Sequence, residues 1–276
     1  MIKEETLNNI IVKPLVTVDN SDENKVKGGK LFKNPYNCTF LCAKRKSGKT
    51  SVLAHILQKT SDKKTTFWIF CPTNKVDSSW IALIKLLEDR GSQVNVFDSI
   101  SDGKVNLLDE IVTDLSNPEE YIIDKKEKNI ENKPVVKVNF GDSKEKKKQE
   151  YKPKKLAPLH IFVFDDISNE LKNPALVSLC KKSRHFKASV YISSQYIHDL
   201  QPQTLKQLDY FLCFKSFSRD KLEHIHKVLD LTIDIDKFYN VYDFCFENSM
   251  GYDFLYIDVR EQEFRKNFNK KLNLDI

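Results

Sequence analysis

Cys38-Thr39-Phe40-Leu41-Cys42-Ala43-Lys44-Arg45-Lys46-Ser47-Gly48-Lys49-Thr50 is the stretch on which the fold turns. Its first five residues form an apolar run of the kind buried as a short strand. A polar loop, Ala43–Ser47, follows. From about Gly48 the apolar positions Val52, Leu53, Ile56 and Leu57 share one face of a helix. Strand, loop and helix in this order, with Gly-Lys-Thr at the hand-over, match the spacing of a phosphate-binding loop, with Ala43 standing where a first Gly is usual. The chemistry requires this arrangement. Backbone N–H groups at the positive end of a helix curl around a phosphate. Gly48 admits close approach because it has no Cβ, Lys49 reaches the β- and γ-phosphates, and Thr50 offers its hydroxyl to Mg2+.

The candidate nucleotide-binding residues are therefore Ala43, Lys46, Ser47, Gly48, Lys49, Thr50 and Ser51, with ATP and Mg2+ as the expected ligands. Ala43 is tolerable provided its backbone does not need a positive φ. Lys44, Arg45 and Lys46 either add charge beside the nucleotide or form a solvated loop face.

Outward from this stretch, strands and helices alternate. Thr66–Cys71 reads as a buried strand stopped by Pro72. Trp80, Ile81, Ile84 and Leu87 mark a helix ended by Gly91, and Val94–Phe97 is a further short strand. Leu159–Phe164 is an uninterrupted apolar run. Asn173-Pro174 opens a helix as cap and first residue. Ala188–Ser194 and Tyr210–Phe214 are strands, and Leu222, Ile225, Val228 and Leu229 mark a helix. Tyr242–Phe246 and Tyr252–Ile257, flanking Asn248-Ser249-Met250-Gly251, read as a C-terminal β-hairpin. The alternation predicts an α/β fold with a mostly parallel central sheet flanked by helices.

The apolar run leads into Asp165-Asp166. A carboxylate at the end of a buried strand is costly unless it binds something. Beside a phosphate loop, that something is the Mg2+ shell. Asp165 and Thr50 are thus the candidate metal residues, and Asp166 the candidate base for the attacking water. The alternative for Asp166 is a turn acid or a cap before Ser168. Between Lys49 and Asp165 lie 115 residues, enough for an extra strand–helix unit plus a charged insert. This separation, with a strand after Asp165, favours a RecA-like sheet with an additional strand. Ser193-Ser194-Gln195 would then end a strand lying between those of the loop and of Asp165. Gln195 would face the γ-phosphate and the lytic water, or serve as a polar strand cap.

Composition sets bounds. The 276 residues suit one α/β domain with decoration. Residues 1–30 read as a polar arm with one short strand at Ile10–Val12. Residues 31–265 form the domain, and 266–276 a tail. Between Lys125 and Lys155 twelve Lys face five acids, a surplus of seven that leaves the rest of the chain at −1 of the total +6. Basicity is therefore local, and this stretch reads as a disordered insert or a nucleic-acid-facing arm. Six Cys lie mostly in apolar runs without zinc spacing and read as buried thiols. With no apolar run of about 18 residues, no membrane association is expected, and the chain reads as soluble and intracellular.

Several segments in their order resemble the poxvirus-type genome-packaging ATPases of the FtsK/HerA superfamily, found in large DNA viruses, virophages and related mobile elements. These are the loop after CTFLC, the apolar strand into Asp165-Asp166, Ser183-Arg184-His185, the Ser-Ser-Gln strand end and Leu200–Leu212. The resemblance covers roughly residues 35–265. It implies a ring-forming homo-oligomeric motor that hydrolyses ATP to drive double-stranded DNA into a capsid, at a portal-like vertex. The expected location is the host cytoplasm or viral factory, or the virion itself. It also implies a role for Arg184 as an arginine finger toward a neighbouring subunit's nucleotide, against a structural ion pair or a phosphate contact in cis. Arg219 is the second finger candidate, and His185 reads as a packing or hydrogen-bonding residue. Two other readings compete. A nucleotide kinase or plasmid-partition ATPase is the first, but a kinase needs an Arg-lined lid and this chain has only six scattered Arg. The second is a non-hydrolysing scaffold, which intact Lys49, Thr50, Asp165 and Gln195 argue against.

Overall fold

The structure is a computed structural model that describes residues 25–117, 155–215, 217–249 and 252–274. The expected strand at Ile10–Val12 and nearly all of the 125–155 insert lie outside the described residues.

The chain opens with β1 (Cys38–Cys42), α1 (Lys49–Thr60), β2 (Thr66–Phe70), α2 (Ser78–Asp89) and β3 (Gln93–Phe97). A two-stranded ribbon, β4 (Ser101–Asp102) with β5 (Val105–Asn106), precedes α3 (Leu107–Ser116). Then come β6 (His160–Asp165), α4 (Pro174–Lys182), β7 (Ala188–Ser194), the single turn α5 (Pro202–Leu205) and β8 (Tyr210–Phe214). The last elements are α6 (Arg219–Val228), α7 (Ile235–Phe246), β9 (Phe254–Asp258), β10 (Glu263–Lys266) and β11 (Lys270–Leu272).

Nine strands form one sheet in the order β11-β10-β9-β8-β1-β7-β6-β2-β3. From β8 to β3 every pairing is parallel, and β9, β10 and β11 join antiparallel at one edge. This is the α/β, RecA-like arrangement, with β7 as the additional strand between β1 and β6. The central strands run apolar on both faces because helices cover both. On one face α1 and α2 bury Leu53, Ile56, Leu57, Trp80, Leu83 and Leu87 against Leu41, Ile161, Val163 and Tyr191. The other face packs Leu108, Leu176, Leu179, Ile225 and Phe238 onto Phe40, Phe162, Phe164 and Ile192. Each such fully buried side chain contributes about 1.5–3 kcal/mol relative to exposure.

Two expectations need correction. Tyr242–Phe246 is not a strand but the last turns of α7. The antiparallel C-terminal strands are instead β9 with β10 and β10 with β11, turning after Asp258 and Lys266. Lys270–Leu272 therefore belongs to the sheet rather than to a tail. At the other end, Val26 is buried and bridges Leu156, so residues 25–30 pack on the domain. Among the described residues no helix is long and apolar enough to cross a membrane. All six Cys are buried free thiols.

Candidate nucleotide-binding site

Every central parallel strand ends at the same edge of the sheet, and the site is built there. β1 runs into the loop through Ala43, which is fully buried and donates its N–H to the Ser194 carbonyl at 3.0 Å. That bond continues the ladder between β1 and β7. Ala43 is not among the residues with positive φ, so a side chain is accommodated there. The left-handed positions fall later, at Lys46 (φ 63°) and Gly48 (φ 83°). Ser47 Oγ donates to the Lys44 carbonyl at 2.7 Å and closes the loop on itself. Gly48 caps α1, whose first residues are Lys49, Thr50 and Ser51. Lys44, Arg45, Lys46 and Ser51 are exposed, whereas Lys49 is buried.

Lys49 points across the sheet edge to β6. Its Nζ lies 2.8 Å from Asp166 Oδ1 and 3.1 Å from Asp165 Oδ1. Burial opposes its charge, but Asp165 and Asp166 outweigh burial and raise the pKa of the ammonium. Among the described residues Lys49 is the one ion-pair partner of these two acids, so the trio carries a surplus negative charge. Asp165 is 2% exposed. Its Oδ2 accepts a hydrogen bond from Trp80 Nε1 at 2.9 Å, while its Oδ1 has charge contact with Lys49 but no hydrogen bond. Ser193 is the register partner of Asp165, and strand alternation puts both on the α1 face. Its Oγ is likewise buried without a partner.

These features fit a hard divalent cation. The Asp165 and Asp166 carboxylates beside the loop and the Thr50 hydroxyl at the start of α1 supply only oxygen donors, the kind Mg2+ takes. Asp165 and Thr50 would hold the ion, which supplies charge neutralisation to phosphate oxygens.

Asp166 sits in the left-handed region at φ 55°, at a cost of about 1 kcal/mol, and its side chain is partly open to solvent. The next strand tip carries Gln195, half-buried between the β1 loop and the acids. The neighbouring Ser194 Oγ bonds both Ser168 Oγ, at 3.0 Å, and Asp199 Oδ2. The tip of β7 is thereby tied to the turn after Asp166. Cys42, under the loop, donates through Sγ to the Gln195 carbonyl, and burial pushes its thiol up to about 12.

Arg184 is not brought to this site. It is exposed at the opposite end of β7, where it lies 3.7 Å from Asp209, whose carboxylate accepts from the N–H of Cys38 at the start of β1. Seven residues of β7 separate the two ends, roughly 20 Å. Within its own subunit Arg184 thus makes a structural ion pair with Asp209 and no contact with the loop, which sets aside the phosphate contact in cis. His185 is exposed beside it. Arg219 starts α6 at the loop end of the sheet, paired with Asp243 at 2.5 Å and stacked over Tyr239.

Trp80 was legible only as an apolar helix position; nothing local signals its bond to an acid 85 residues away. It follows that Trp80→Phe, which removes the donor but keeps an aromatic ring, should raise the Mg2+ needed for half-maximal turnover about tenfold. An unchanged Mg2+ titration would reduce the indole to packing.

No family model matches this chain, and no curated protein does. Solved structures do. The genome packaging NTPase B204 from Sulfolobus turreted icosahedral virus 2 in complex with AMP superposes with a TM-score of 0.51 at 16% identity, covering 85% of this chain and 98% of that one. Its complex with ATP-gammaS gives 0.50 at 17%, covering 85% and 97%. B204, the DNA-packaging ATPase from Sulfolobus Turreted Icosahedral Virus, gives 0.50 at 16%, covering 84% and 97%. The likeness spans nearly the whole of those chains, and the fold is theirs.

Proposed function

We propose that this chain is an ATP-hydrolysing DNA translocase of the FtsK/HerA packaging type. As a homo-oligomeric ring it drives double-stranded DNA into a viral capsid at a portal-like vertex, in the host cytoplasm or viral factory or from the virion. The observation that carries the reading is the bridge of Lys49 Nζ to Asp165 Oδ1 and Asp166 Oδ1 beside the β1–α1 loop. Loop, lysine and acid pair are the parts that phosphoryl transfer needs, because catalysis there is positioning and charge stabilisation. The shared fold with B204 supports the packaging role. Arg184 stands outside the site of its own subunit, so its role as a finger requires a neighbouring subunit.

Lys49 and the loop N–H groups hold the triphosphate, Asp166 takes the proton of the attacking water, and Gln195 orients that water. The test is ATP turnover by the full chain across protein concentrations, with and without double-stranded DNA. Turnover per subunit should rise with concentration and again with DNA, and the DNA effect should fade with added salt. Turnover indifferent to both would remove the motor and leave a monomeric hydrolase.

A further inference from the structure

An exposed aromatic side chain stands against the phosphate loop. Tyr252 stands two residues before β9, which pairs antiparallel with β8 (Phe214 opposite Phe254), so it reaches the sheet edge that carries the loop. Its ring lies against the loop glycine: a Cβ built on Gly48 would fall 2.5 Å from Cδ1 and 3.3 Å from Cε1 of Tyr252. The residue is nevertheless 69% exposed. A large aromatic side chain that touches a phosphate loop and leaves most of its surface open invites a flat ligand.

The sheet order fixes which part of the ligand that is. Lys49 bonds the acids at the tip of β6, on the β7 side of β1, so the γ end of a bound triphosphate faces that way. The chain of phosphates then crosses the N-terminus of α1 and leaves on the β8–β9 side, where Tyr252 stands. This argument rests on the nucleotide-binding reading above.

We propose that Tyr252 is the stacking platform for the nucleotide base. Recognition through a ring face favours purines over pyrimidines by overlap area and does not read the hydrogen-bonding edge. The site accordingly accepts ATP and GTP alike, ahead of CTP and UTP.

Calorimetric binding of ATP-gammaS and of inorganic tripolyphosphate, both with Mg2+, tests this on the full chain and on Tyr252→Ala and Tyr252→Phe. Loss of a base–aromatic stack should weaken ATP-gammaS about tenfold in Tyr252→Ala. Tripolyphosphate, which has no base, should bind all three proteins equally, and Tyr252→Phe should match the wild type for both ligands. The purine preference should shrink in Tyr252→Ala. Equal loss of both ligands, a gain for tripolyphosphate, or unchanged ATP-gammaS affinity would each overturn the platform. Failure of the underlying nucleotide reading looks different, because the wild type would then take up neither ligand.

Discussion

Lys49→Ala is expected to lower ATP turnover by about 10³-fold, the loss that follows when one preorganised charge donor leaves a reacting centre. The side chain is 10% exposed and rests on two carboxylates, so its position is set before any ligand arrives. Its ammonium stays charged because Asp165 and Asp166 offset the burial that opposes it. The same pairing means that the substitution has a second consequence. Asp165, buried and deprived of its one ion-pair partner, becomes an uncompensated charge, so the variant should also melt earlier than the wild type. Turnover measured below that melting range separates the two effects. Wild-type turnover in a folded Lys49→Ala protein would remove the site assignment.

Asp166→Asn is the second large effect, and a cleaner one. Asn keeps the shape of Asp and is among the few residues that tolerate the left-handed backbone found at this position. The substitution therefore removes a basic oxygen without disturbing the turn. In the structure Asp166 Oδ1 accepts from Lys49 Nζ at 2.8 Å, a bond that must open when the lysine serves phosphate instead. A carboxylate released in this way, partly exposed beside the loop, is placed to accept a proton from water. Turnover should fall 10²- to 10⁴-fold, the usual range for a lost general base, while ATP-gammaS still binds. Undiminished turnover would leave Asp166 as a partner of Lys49 and nothing more.

How much of this was readable in the sequence differs from element to element. The parallel core was legible because CTFLC, TFWIFC, LHIFVF, ASVYISS and YFLCF are apolar on both faces, which only a sheet covered by helices on each side tolerates. The position of β7 between β1 and β6 also followed, from the long gap before Asp165 and the strand after it. Tyr242–Phe246 looks like a strand only in a short window. Phe238, Val241, Tyr242, Cys245 and Phe246 are buried in steps of three and four, a helical period, but the last five residues alone look like an aromatic-rich strand.

The site was legible where its chemistry is local. Gly48, Lys49 and Thr50 are adjacent in sequence, and the two acids close one strand. It was not legible where sheet pairing brings distant residues together. Trp80 reaches Asp165 only because α2 packs on the face toward which that carboxylate points, and Tyr252 reaches Gly48 only because β9 docks on β8. No spacing rule connects residues that far apart. Arg184 was named by its motif, although it precedes the strand whose far end carries Gln195, so its distance from the loop is legible in the sequence.

A crystal structure of the full chain with Mg2+ and ATP-gammaS is the most direct test of the central claim. The account predicts the phosphates against the N–H groups of residues 46–50, Lys49 Nζ moved off Asp166 onto the β- and γ-phosphates, and the ion held by Thr50 and Asp165. Nucleotide bound elsewhere, with Lys49 still paired to both acids, would contradict it.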